Sequence, residues 1–211
     1  MKLLYTPIKH YVHTVEAVLN YAGLRDRVEP VPTRPFDIDT PLPSVNPLGK
    51  VPTLILDDGN YLAGGPVIYE YLDSLHDRRR LHPAAGPERF QALRRAWLAD
   101  GMFDSFVQII IESWQEPSSL RQGFVMRQWQ RVARCLDQMD ADVDSTRPLD
   151  IGHLRTVGAI QFLVLKTPTL ASAECGISPD HDCFAGRPRL GEWFASVEPG
   201  TIFHDPLIKE N

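Results

Sequence analysis

Asn46-Pro47-Leu48-Gly49-Lys50-Val51-Pro52-Thr53-Leu54, carried on to Tyr71-Leu72-Asp73, is the stretch whose reading decides the fold. It reads as a loop that turns on Gly49 and enters a strand through Pro52. A hairpin over Asp57-Asp58-Gly59-Asn60 joins residues 53–56 to Tyr61-Leu62. Pro66 suits the first turn of the helix that follows, with Val67, Ile68, Tyr71 and Leu72 expected to face inward. Toward the N-terminus, residues 2–5 read as a short buried strand. From Tyr11 the apolar positions Val12, Val15, Leu19 and Ala22 share one helical face until Gly23 closes the helix. A second strand is expected over residues 28–31. Residues 32–47 hold five prolines and are expected as loop or broken helix.

Toward the C-terminus the pattern becomes helical. Residues 81–87, rich in Gly and Pro, read as a linker. Residues 88–114 carry one long helical pattern, and residues 117–119 restart a second that runs to residue 140. Pro148 stands at the start of a third, with Ile151, Leu154, Val157 and Ile160 inside it. Residues 188–197 read as a short helix packed through Leu190, Trp193 and Phe194. The expected organisation is therefore an α/β domain over residues 1–80, the linker 81–87, and an all-helical domain over 88–211. The order strand-helix-strand-loop-strand-strand-helix of the first is that of a thioredoxin-like domain.

Composition narrows the classes of function. A chain of 211 residues can bury a substantial core. The net charge of −5 offers no concentrated basic surface for nucleic acid or an anionic membrane. Arg78-Arg79-Arg80 reads as a solvated helix end, where cations suit the helix dipole. No apolar run reaches the ~20 residues of a membrane span, and the opening Met1-Lys2-Leu3-Leu4-Tyr5 lacks the apolar core of a signal peptide. Cys135, Cys175 and Cys183, odd in number and without paired spacing, suit reduced thiols and a cytoplasmic location. His153, Asp180, His181, Asp182 and Cys183 lack the spacing of metal ligands, and no metal is expected.

A thioredoxin-like half followed by a helical half resembles the soluble glutathione S-transferase family, bacterial type. The resemblance runs over nearly the whole chain. It is carried by residues 46–53, Val67-Ile68-Tyr69-Glu70-Tyr71-Leu72-Asp73, Leu149-Asp150-Ile151-Gly152, and Arg187-Pro188-Arg189-Leu190 with Trp193-Phe194. It implies a homodimer that uses glutathione as co-substrate, with Val51 offering its backbone N–H and C=O to the cysteinyl part beside a cis bond to Pro52. Lys50 is placed in the same binding stretch. It further implies that Asp150 is a buried helix-capping residue, with an incomplete box because Arg147 stands three residues earlier.

Two positions depart from the family's pattern. Where relatives carry an acidic or amide residue and then Ser to receive the γ-glutamyl carboxylate, this chain has Gly64 and Gly65 ahead of Pro66. Backbone N–H groups and the helix dipole remain there for an anion, but a lost charged hydrogen bond costs about 1.5–3 kcal/mol. The space vacated is expected either to weaken glutathione binding or to admit a different ligand. In the turn after the first strand, where relatives place Ser or Cys, Tyr5-Thr6-Pro7-Ile8-Lys9-His10-Tyr11 puts Lys9 at the catalytic position and His10 next to it. A cation beside a thiol favours the thiolate, so Lys9 suits that task, with Thr6 and Tyr11 as hydroxyl donors. Asp100, with Asp104 and Glu112 as competitors, is the candidate for the glutathione amino group. Phe103, Phe106, Trp114 and Trp129 read as core or as the wall of an apolar substrate pocket.

The leading expectation is thus a glutathione transferase-like enzyme acting on a small, partly apolar electrophile. One alternative is a glutathione-independent enzyme that uses Lys9 and His10 on a carboxylate or carbonyl. Another is a noncatalytic binding or regulatory protein on the same scaffold.

Overall fold

A computed structural model describes residues 1–6, 13–116, 118–170, 177–178 and 181–197, with only the backbone of His13 included. The chain divides into two compact units, whose described parts are Met1–Ala84 and Ala85–Val197. The division falls inside the stretch expected as linker, and Leu81 and His82 at its start are buried in the first unit.

The first unit is built on a four-stranded sheet in the order β2-β1-β3-β4. Strand β1 (Lys2–Tyr5) runs parallel to β2 (Glu29–Pro32), with Leu3 opposite Pro30. A parallel neighbour requires a crossover, and helix α1 (His13–Ala22) supplies it, ending at Gly23 with φ +67°. Strand β3 (Thr53–Ile55) returns antiparallel to β1, and a hairpin leads into β4 (Tyr61–Ala63). Between β2 and β3 the proline-rich segment forms one short helix, α2 (Leu42–Val45). Helix α3 (Gly65–Ser74) packs on α1. Leu3, Val15, Leu19, Leu54, Ile68 and Leu72 are fully buried, each contributing roughly 1.5–3 kcal/mol of apolar transfer. One inward position differs from expectation. Val67 is 52% exposed, and Tyr69, buried to 4%, takes the inner face with Ile68 and Leu72.

The end of α3 is anchored by a buried carboxylate. Asp73 Oδ1 accepts from the Leu81 amide (2.9 Å) and lies 3.1 Å from His76 Nε2. Its Oδ2 accepts from the His82 amide (2.8 Å) and lies 3.0 Å from His82 Nδ1. This network is the physical reason that residues 81 and 82 belong to the first unit.

The second unit is helical: α4 (Gly86–Ser113), α5 (Ser119–Asp142), α6 (Ile151–Leu170) and α7 (Pro188–Val197). Helix α5 starts at Ser118, whose side chain accepts from the Arg121 amide at 3.3 Å. Helix α6 is the central element and packs closely on α4. A Cβ on Gly152 would meet the Ala92 carbonyl oxygen and Arg95 Cβ, both at 2.7 Å, so the glycine lets the two backbones approach. Phe106 and Phe162 are fully buried, with ring centroids 5.7 Å apart. Phe103 lies 4.8 Å from Phe162, and Trp129 lies 6.2 Å from Phe106. Of the four aromatics singled out in the sequence, Phe106 joins the helical core, Phe103 and Trp129 pack on it half-buried, and Trp114 is 62% exposed. Cys135 and Cys183 are buried, and burial pushes both thiols up, that of Cys183 to about 11. At neutral pH both are protonated and inert. Cys175 lies outside the described residues.

Candidate functional site

The turn over residues 46–53 is organised by one buried side chain. Asn46 donates from Nδ2 to the Lys50 carbonyl and to Thr53 Oγ1, both at 3.0 Å, and its Oδ1 accepts from the Leu48 amide at 3.0 Å. Thr53 Oγ1 also donates to the Lys50 carbonyl at 2.8 Å. Gly49, at φ +59°, makes the tight turn and donates its amide to the Asn46 carbonyl at 2.8 Å. With the Lys50 carbonyl held inward, the Lys50 side chain is exposed and Val51 is half-buried. The Val51–Pro52 bond is cis, as the resemblance implied.

The next element along the same edge is the start of α3. Gly64 adopts φ +88°, a conformation that favours glycine, and its amide donates to the Pro52 carbonyl at 3.4 Å. Gly64 also accepts the first helical bond, from the Ile68 amide at 3.2 Å. Among the described residues no side chain caps this terminus, and Pro66 removes one of its N–H groups. The Gly65 and Val67 amides and the positive end of the dipole point out of the first turn, an arrangement suited to an anion.

Gly65 overturns one sequence expectation. The space left by its missing side chain is filled: a Cβ there would meet Tyr69 Cζ at 2.7 Å and Cε2 at 2.9 Å, with the phenolic oxygen closer still. The Tyr69 ring folds back one turn onto Gly65, as i and i+4 side chains on a helix can. The sequence reading missed Tyr69; a glycine four residues before an aromatic was the available signal. At Gly64 the space is open, with nothing within 4 Å.

At the C-terminal end of β1, Thr6 is buried to 9%. Its neighbour Tyr5 is also buried, and burial raises its phenol, helped by Glu16 and opposed by Arg25. Lys9, His10 and Tyr11 lie outside the described residues. In the helical unit, Asp100 Oδ1 accepts from Arg155 Nε at 2.5 Å and from the same guanidinium's Nη2. The two side chains are 15% and 14% exposed, so Asp100 is already engaged by a cation.

Asp150 heads α6 with its cap complete, contrary to expectation. Its Oδ1 accepts from the His153 amide at 3.1 Å, and His153 Nδ1 lies 3.1 Å from the Asp150 amide and 2.9 Å from Oδ1. Arg95 pairs with Oδ2. The box closes forward onto His153, not back onto Arg147, because Asp150 is itself the residue before the first helical turn. Burial pushes this carboxyl up, but the bond and charge of His153 and then Arg95 outweigh it and hold the carboxyl below its ordinary range. For Asp73 the same contest ends at about 2: burial raises it, and the His82 ring and the amides of Leu81 and His82 pull it down. Among the described residues no group of three His, Cys, Asp or Glu is placed to hold a metal ion. No helix among them is long and apolar enough to cross a membrane.

Comparison with known proteins agrees with this geometry. Residues 10–75 match the glutathione S-transferase N-terminal domain model. The chain is 26% identical over 158 residues to the GST-like protein YibF of Escherichia coli K12, covering 74% of this chain and 77% of that protein. A glutathione transferase family member from Pseudomonas fluorescens Pf-5, solved with bound glutathione, superposes with a TM-score of 0.83 at 26% identity, covering 96% of each chain. A glutathione S-transferase from Methylobacillus flagellatus KT, also solved with glutathione, gives 0.81 at 26% identity over 97% of each. Fold, element order and sequence together make this chain similar to the glutathione S-transferases of the bacterial type.

Proposed function

We propose that the protein is an enzyme that binds glutathione in its first unit and uses the thiol against a small, partly apolar electrophile. The observation that carries this reading is the pairing of the Asn46-organised turn, with its cis Val51–Pro52 bond, and the uncapped start of α3 beside it. Val51 pairs through its backbone with the cysteinyl residue, with Lys50 flanking. The Gly65 amide and the α3 dipole receive the γ-glutamyl carboxylate, and Gly64 holds that terminus in place. Thr6 or Lys9 favours the thiolate, with His10 and Tyr11 as neighbouring donors. A thiol of pKa ~8.5 is mostly protonated at neutral pH, so a hydroxyl or cation at its sulfur raises the reactive fraction. The thiol proton leaves to solvent, the sulfur forms a bond to the electrophilic carbon, and a leaving group departs with its electron pair or the acceptor's π bond takes the charge. Two like chains pair to form a homodimer, a role suited to Phe90 and Trp97 of α4, which are 69% and 75% exposed. The protein acts in the cytoplasm.

Calorimetric titration with reduced glutathione tests the reading. Binding at millimolar affinity or better is expected from the native protein, with loss in Val51→Pro, which deletes the backbone donor. Equal binding by the two proteins would place glutathione elsewhere.

A further inference from the structure

We draw no further inference here: the strongest candidate, the notch among α4, α5, α6 and α7 lined by Arg95, Met139, Asp142, His153 and Trp193, belongs to the Asp150 cap already described, with Arg95 and His153 held by Asp150 and Asp142 held by Arg94 and Gln138.

Discussion

Two helix starts in this molecule share a first-turn glycine and differ in what meets it. Helices α3 and α6 each have a glycine in the first turn where a Cβ would come within 3 Å of another atom. At α6 the obstruction is the Ala92 carbonyl and Arg95 Cβ at 2.7 Å, a neighbouring helix that cannot step aside. The terminus there is closed by Asp150, His153 and Arg95. At α3 the obstruction is the end of one tyrosine, and among the described residues no side chain caps the terminus. A helix start whose donors are met from within is structural. One whose donors face outward offers its amides and dipole to an anion.

The sharpest way to break this contrast is at α6. Asp150→Ala leaves Arg95 buried without its partner and should destabilise the fold by about 3–5 kcal/mol in urea unfolding. A loss below that of an exposed pair would mean the cap is not structural. Gly152→Ala should cost about 1–3 kcal/mol by overpacking the α4–α6 contact. Gly65→Ala meets the far end of a side chain and no backbone, so its melting temperature should fall by about 2–4 °C or less, near 1 kcal/mol for a chain of this size. If the two glycines cost the same, the distinction between a backbone and a side-chain obstruction is wrong.

The smallest effect concerns pH. Asp150 is held below its ordinary range in the folded state, so its contribution is present above its unfolded value of about 3.9 and is lost as pH falls through the lower folded value. The stability gap between native protein and Asp150→Asn should therefore narrow below pH 4. A gap that stays constant from pH 6 to pH 3 would remove the ion pair as its source. Asp73, at about 2, follows the same sign.

Much of the fold could be read in the sequence because local chemistry and tertiary structure agree there. Gly49 has to turn, Gly23 has to end α1, and Asn46 has to hold the Lys50 carbonyl four residues on and the Thr53 hydroxyl seven residues on. The thioredoxin-like order follows from such signals. Residues 81 and 82 read as linker because their anchor, Asp73, is eight and nine residues upstream and acts through amides that any residue carries. The Asp150 cap hid because His153 does the work that the pattern reserves for Glu or Gln. Tyr69 hid because its position depends on a rotamer, and residue type alone does not say whether a ring on α3 turns outward or folds back over Gly65. The site was thus half legible: the Val51 side is written in backbone chemistry, and the Gly65 side in packing.

A crystal structure of the protein with reduced glutathione tests the central claim most directly. The prediction is a cysteinyl residue paired with the Val51 backbone, and a γ-glutamyl carboxylate about 2.7–3.2 Å from the Gly65 amide. Glutathione seated away from α3, or absent at saturating concentration while the Val51 edge stays open, would contradict it.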